Sequence, residues 1–171
     1  MMKKIKKNLV RKLIPFFIPS KELKELESKE LEDKEVEEIL FTLLRQFLQG
    51  VAELILRVVV GFFMLTSHGW GKLFSFSEKS QFFPDPLGIG SFASLTLATF
   101  AEFFCSILLI LGLFTRFAAF NLLITMLVAG LIFHATDPFA KKELALLYAL
   151  VFLYFTKVGG NRYSLDQWFR K

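Results

Sequence analysis

Six side chains that can carry charge or exchange protons lie within or beside apolar sequence: Arg57, His68, Lys72, Glu102, His134 and Glu143. Arg57 interrupts "ILRVVVGFF", and Glu102 interrupts "TFAEFFC". Placing such a charge in the middle of a membrane helix costs about 2.5–3.5 kcal/mol on insertion scales. A charge at these positions therefore indicates either a functional site or an ion pair that fixes how the helices pack.

The elements that must position these groups are apolar helices. The 171-residue chain is 54% hydrophobic and contains 22 phenylalanines, with a mean hydropathy of +0.49. A membrane span needs about 20 residues, because a helix rises about 1.5 Å per residue across a hydrocarbon core about 30 Å thick. Apolar runs of suitable character cover about 50–69, 91–114, 117–134 and 142–158.

The fourth run is long enough only if Lys142 and Lys157 extend their ammonium groups to the two membrane surfaces. A large soluble helical core is the alternative, but the neighbouring runs lack the polar face that it requires. We therefore predict an all-α, integral membrane four-helix up-down bundle over residues 50–171. A charged N-terminal helical extension over residues 1–49 precedes it.

The N-terminal extension has two parts. Residues 1–19 are basic and are broken by Pro15 and Pro19, which indicates a retained surface segment rather than a signal peptide. Residues 20–49 are charged, and Ser20 can cap a helix there. This helix either lies amphipathically on the membrane surface or docks a soluble partner.

The distribution of basic residues predicts the orientation. Sixteen Lys and Arg residues fall on the side of the two termini and four on the other side, with Arg57 inside the bilayer. The positive-inside rule then places both termini in the cytoplasm. The net charge of +5 follows from the same bias, so the lipid bilayer is the expected partner and nucleic acid is not.

Arg57 and Glu102 are predicted to form an ion pair inside the bundle. Glu102 lies about 18 Å from the cytoplasmic end of its helix, and Arg57 lies about 10 Å or more from the start of the first helix. That gap is close to the combined reach of the two side chains. Glu53, four residues before Arg57 on the same helix, is the competing partner.

A second cluster is predicted at the outer rim, where His68 and Lys72 close the first helix, His134 closes the third and Glu143 opens the fourth. In an up-down bundle these ends meet on one side. Such a cluster can bind an anion or a quinone head group and can transfer protons. The architectural alternative is that the histidines form interfacial hydrogen bonds and Lys72 anchors its helix at the surface.

Other local features exclude some kinds of site and predict where helices begin and end. Cys105 is the only cysteine, which excludes an intrachain disulfide or a CxxC redox pair, and no HxxH or ExxH spacing points to a metal site. Gly69 and Gly71 are expected to end the first helix. We expect three hydroxyl side chains to cap later helices: Ser91, Thr115 and Ser164, the last with Gln167 as a capping box.

Five stretches together resemble the DoxX family of small bacterial membrane proteins: "LRVVVGFFMLTSHGWGKL", "FPDPLGIG", "AEFFCSILLILGLFTRFAAFNLLITMLVAGLIFH", "KELALLYALVFLYF" and "GNRYSLD". The resemblance covers about residues 54–168 and implies a four-helix bundle in the bacterial cytoplasmic (inner) membrane. Family-like positions are Arg57, Gly61, His68, Gly69, Lys72, Glu102, Gly112, Arg116, His134, Glu143 and Asp166.

The resemblance also implies a function. It points to a membrane subunit of a quinone-linked oxidoreductase complex of the thiosulfate or oxidative-stress type, with a soluble or membrane oxidoreductase as partner. The chain has no flavin, haem or iron–sulfur motif, so it is not expected to catalyse the reaction alone. A small transporter and a purely structural membrane protein are the alternatives, and a homo-oligomer is left open.

Overall fold

A computed structural model describes residues 33–170, which form helices and connecting turns without any strand among them. The predicted basic segment 1–19 and the predicted helix start at Ser20 lie outside the described residues. The chain divides into two compact units between Val51 and Ala52. All six candidate site residues belong to the second unit.

Eight α-helices and three π-helical turns follow one another along the described residues. The first helical run consists of α1 (Asp33–Met64), π1 (Leu65–Gly69) and α2 (Trp70–Phe74), and α3 (Phe76–Lys79) follows it. The second run consists of α4 (Ser91–Thr99), π2 (Phe100–Cys105) and α5 (Ser106–Leu111). The remaining elements are α6 (Thr115–Leu127), π3 (Val128–Phe133), α7 (Phe139–Val158) and α8 (Leu165–Trp168).

Three helices in the described part of the chain are long and apolar enough to cross a membrane. They are span 1 (Glu37–Phe74), span 2 (Ser91–Leu111) and span 3 (Thr115–Phe133). They confirm three of the predicted apolar helices, but span 1 does not end at its two glycines as expected. The helix α7 lacks an apolar stretch of that length, because charged residues lie at both of its ends.

The helices pack through both small and large apolar side chains. The most extensive contact between two elements is that of α6 with α7. In addition, π2 packs on α6, and π1 packs on π2. Within lipid, close van der Waals packing rather than the hydrophobic effect holds helices together, which favours small residues at the interfaces. The buried core includes the small residues Ala101, Cys105, Ala118, Ala119 and Ala149, together with larger ones such as Phe152 and Phe155. Many other large apolar side chains point outwards, as expected for a surface in contact with lipid.

Gly112 ends span 2 in a Schellman motif. Its φ of 69° lies in the left-handed region, which glycine adopts without strain. The N–H of Leu113 donates to the carbonyl of Leu108 at 2.9 Å, and the N–H of Gly112 donates to the carbonyl of Leu109 at 3.1 Å. The chain can therefore reverse within a few residues and enter span 3.

The N-terminus of span 3 is capped by a distant side chain. The carboxylate of Asp166 accepts hydrogen bonds from the N–H groups of Phe114 at 2.7 Å and Thr115 at 2.9 Å. The predicted Thr115 cap is therefore wrong, because Asp166 occupies the position that its hydroxyl was expected to fill. The predicted Ser164 cap is confirmed, since its hydroxyl accepts from the N–H of Gln167 at 3.3 Å.

Replacing Asp166 with asparagine is expected to lower the free energy of unfolding by about 1 kcal/mol at neutral pH, because the amide nitrogen cannot accept the second of the two hydrogen bonds. Burial alone raises the pKa of Asp166, but hydrogen bonds from Thr115 and Phe114 outweigh it and hold the pKa below its ordinary value. Its contribution is therefore complete above about pH 4 and is lost as the pH falls through the lowered pKa.

Unfolding in detergent at neutral pH and near pH 3 measures this contribution. The difference in the free energy of unfolding between the wild type and Asp166→Asn should be smaller near pH 3 than at neutral pH. The matched control is Glu78→Gln, which removes an exposed carboxylate and should change little at either pH. An equal gap at both pH values would contradict the role of the Asp166 charge.

Candidate functional site

A cavity of about 390 Å³ lies among span 1, span 2, span 3, α7 and the loop after α3. Most of its lining is apolar. The polar side chains that reach it include His68, Lys72, Glu102, His134 and Tyr148. Cavities of this size and mixed character are typical of small-molecule sites.

Lys72 and Glu102 form a buried ion pair on the cavity wall. The ammonium of Lys72 donates to Oε2 of Glu102, whose side chain is only 6% exposed. Each charge offsets the desolvation cost of the other, so removing one would leave the other stranded. The predicted pair of Arg57 with Glu102 is therefore wrong, since Glu102 is engaged by Lys72.

The direction in which helical side chains lean explains this partner. Side chains on an α-helix point back towards its N-terminus. Lys72 lies near the end of span 1, so its long side chain reaches back along the helix and its ammonium reaches Glu102. A surface anchor, the alternative interpretation of Lys72, would instead extend its ammonium away from the bundle.

His68 lies beside this pair. Both Glu102 and Lys72 act electrostatically on its ring. The ring also meets that of Tyr148 edge-on, with centroids 6.3 Å apart and an interplanar angle of 83°. An imidazole, an ammonium and a carboxylate thus occupy one wall of the cavity.

Each span has a π-helical turn near this cavity. His68 belongs to π1, Glu102 belongs to π2, and His134 directly follows π3 with its N–H donating to the carbonyl of Ala129 five residues back, at 3.0 Å. A π-turn inserts one residue into a helix and rotates the side chains around it, and such turns occur frequently at functional sites. Sequence analysis did not anticipate them.

His134 is held by an aspartate that sequence analysis missed. Its Nδ1 lies 2.7 Å from Oδ2 of Asp137, and Lys141 donates to the other carboxylate oxygen at 3.4 Å. The hydrogen bond from His134 holds the pKa of Asp137 below its ordinary value. The spacing "HATD" is the only sequence signal, since a turn of three residues brings the two side chains together.

Two of the predicted site residues lie elsewhere. Glu143 is exposed and does not line the cavity, so the structure unites only His68, Lys72 and His134 from the predicted rim cluster. Arg57 is 2% exposed and lies about 16 Å from His68 along the same helix. Its guanidinium donates to the carbonyl of Tyr163 at 2.7 Å.

The surroundings of Arg57 indicate a structural role. Asp166 and Glu53 are the acids that act electrostatically on it. Glu53 itself accepts hydrogen bonds from the hydroxyl of Tyr154 at 2.6 Å and from the amide of Asn161 at 2.9 Å. Arg57 thus ties span 1 to the segment after α7 and takes no part in the cavity.

The loop between span 1 and span 2 forms one side of the cavity. Asp85 fixes this loop by accepting from the N–H of Gly90 at 2.7 Å and from the hydroxyl of Ser94 at 2.7 Å. The helix begins after Gly90 without a side-chain cap, so the predicted Ser91 cap is wrong. Phe83 and Pro84 from this loop also line a second, more polar cavity of about 490 Å³ that shares His68 and Lys72.

Two comparisons with known proteins give a match. The family model described as DoxX matches residues 52–135. An uncharacterized protein of Haemophilus influenzae is 39% identical over 127 residues, which cover 68% of this chain and 89% of that protein. No solved structure matches this chain.

Proposed function

This chain belongs to the DoxX family of membrane proteins, and from that premise we propose that it is a membrane subunit of a quinone-linked redox complex. In this proposal α7 acts as a fourth span and completes an up-down bundle in the bacterial inner membrane. Both termini then lie in the cytoplasm, as the distribution of basic residues predicts.

The observation that carries the proposal is the buried Lys72–Glu102 pair on the wall of an otherwise apolar cavity. A quinone head group requires apolar contact for its ring and hydrogen-bond donors for its two carbonyl oxygens. The ammonium of Lys72 and the imidazole of His68 are suitable donors, so the residues fit such a ligand. A quinone supplies the capacity to take up two electrons and two protons.

Access from the lipid supports the same ligand. Leu97 on span 2 and Ile124 on span 3 line the cavity while remaining 57% and 44% exposed. A surface of this kind faces hydrocarbon in a membrane, so an apolar ligand can reach the cavity from within the bilayer. The residues of the chain bind the head group and move protons, whereas a partner oxidoreductase exchanges the electrons.

Mass spectrometry of the protein gently extracted from its own membrane tests the proposal. A quinone at near-stoichiometric yield, together with a co-purifying oxidoreductase, is the expected result. An empty bundle that transports a small anion into liposomes without any redox partner would instead indicate a transporter. A protein that carries no quinone and transports no anion would indicate a purely structural role.

Filling the cavity should weaken quinone binding. Ala98 lines the cavity, and Ala98→Leu is expected to raise the Kd for decylubiquinone about tenfold or more, because the added side chain takes space from the ring. Titration of the purified protein in nanodiscs measures this Kd. Ala140→Leu is the matched control, since Ala140 is exposed and lies outside the cavity lining. Equal Kd values for the two variants would place the ligand elsewhere.

A further inference from the structure

We infer that Asp137 sets the tautomer of His134 and thereby makes the cavity prefer the reduced, hydroxyl-bearing form of the ligand. This inference rests on the proposed function, because it concerns the redox state of the quinone that the cavity binds. Asp137 is a positioning residue, since it acts through the His134 ring and touches no ligand itself.

The two ring nitrogens of His134 have different surroundings. Its Nδ1 lies 2.7 Å from a carboxylate oxygen of Asp137. A carboxylate can only accept a hydrogen bond, so Nδ1 must carry the proton. In the neutral ring the other nitrogen, Nε2, then has a lone pair and no proton. Because the ring lines the cavity, Nε2 is the nitrogen left for a ligand.

The lone pair of Nε2 distinguishes the two redox forms of the ligand. An imidazole lone pair accepts a hydrogen bond from the hydroxyl of a hydroquinone, but it repels the carbonyl oxygen of a quinone. A site built to pair with a hydroxyl discriminates strongly against the analogue that lacks it. Asp137 and the ring of Phe133 contact the His134 ring, and Lys141 pairs with the same carboxylate of Asp137.

Another part of the cavity lining is the Lys72–Glu102 pair. Lys72 has three N–H donors and Glu102 engages one of them. A ring oxygen accepts from an ammonium in both redox states, so Lys72 binds the ligand without distinguishing them. The acceptor at His134, which depends on Asp137, therefore favours the hydroquinone, whereas Lys72 does not distinguish the two forms.

The test compares the affinities for decylubiquinol and decylubiquinone, which have identical tails. With the wild-type protein in nanodiscs at about pH 8.5, where an imidazole is neutral, the quinol should bind about tenfold more tightly. In Asp137→Asn the amide can donate to Nδ1, which moves the ring proton to Nε2, as in the wrong-tautomer variant of a serine protease triad. The affinities of this variant for the quinol and the quinone should then be about equal, or the quinone should bind more tightly.

Two control variants show whether the effect depends on the carboxylate at position 137 or on the loss of any negative charge. Glu143→Gln removes an exposed carboxylate that does not line the cavity and should keep the tenfold preference. Asp137→Glu retains a carboxylate acceptor and should restore part of the preference. A wild-type preference for the quinone, or an unchanged preference in Asp137→Asn, would overturn the inference.

Nitrogen NMR of histidine-labelled protein reports the tautomer without any ligand. The chain has two histidines, so a His68→Asn sample assigns the signals of His134. A proton on Nδ1 is expected, and a proton on Nε2 would overturn the inference whatever the protein binds. If the wild type has the Nδ1 proton but binds neither quinol nor quinone, the proposed function fails and the inference about ligand choice fails with it.

Discussion

Replacing Gly69 with alanine is expected to destabilise the protein by about 3 kcal/mol, the upper part of the range for overpacked sites, and to abolish ligand binding. Gly69 lies in π1, directly against the backbone of π2. A Cβ at this position would lie 2.6 Å from the carbonyl carbon of Glu102 and 2.8 Å from the nitrogen of Phe103. Backbone atoms cannot rotate away as a side chain can, so the two spans must separate and carry Glu102 with them.

A second glycine on the same span provides the control for this experiment. A Cβ at Gly71 would meet only the flexible ammonium of Lys79, at 3.7 Å. Gly71→Ala should therefore be neutral or slightly stabilising, because alanine favours a helix by about 1 kcal/mol over glycine. Unfolding in mixed detergents and titration with decylubiquinone measure both effects. Equal stability of the two variants would contradict the close approach of π1 and π2.

Replacing Lys72 with methionine should lower the free energy of unfolding by about 3–5 kcal/mol, because it leaves the carboxylate of Glu102 buried without a counter-charge. Methionine approximates the aliphatic part of lysine, so the loss reports mainly on the charge. Adding Glu102→Gln to this variant removes the stranded charge. The double variant should recover most of the stability, to within about 1 kcal/mol of the wild type.

Ligand binding in the double variant distinguishes a functional pair from an architectural one. A functional pair predicts that the double variant folds but no longer binds decylubiquinone, since Lys72 was the donor to the head group. Full recovery of both stability and binding would show that the pair serves only to fix helix packing. Unfolding in mixed detergents and a binding titration on the same samples decide between these outcomes.

The spans were the part of the fold that sequence analysis predicted most directly. Their apolar length is set by the thickness of a bilayer, and a hydropathy pattern reports that length without any knowledge of packing. The turn between span 2 and span 3 lies close to the predicted break between residues 114 and 117, and Gly112 takes a left-handed conformation in it. The last turn of span 1 was misjudged, since Gly69 permits close packing there rather than an exit from the helix.

The partners of the buried charges were not accessible in the same way. Counting residues gives the distance of Glu102 from the end of its helix. The count assumes that the helix is straight and that each side chain points directly away from the helix axis. The reach of Lys72 back along its helix and the turns at π1 and π2 decide the actual pair. Asp137 was overlooked because it follows the span in a short turn, where an acidic residue is ordinarily solvated.

Arg57 shows a different limit. Its burial was expected from the apolar sequence around it, and the structure confirms that burial. Its acceptor is the backbone carbonyl of Tyr163, more than a hundred residues away. Backbone carbonyls occur at every position, so no residue type in the sequence could identify this one.

The Asp166 cap has a consequence for the order of assembly during biosynthesis. The ribosome completes the turn between span 2 and span 3 about 50 residues before it adds the aspartate that caps it. One segment, which contains Tyr163 and Asp166, supplies the acceptors for the N–H groups of Phe114 and Thr115 and for the guanidinium of Arg57. This segment is synthesised after all three of these donors. Span 2 and span 3 are therefore synthesised before the segment around Asp166 that fixes the turn between them.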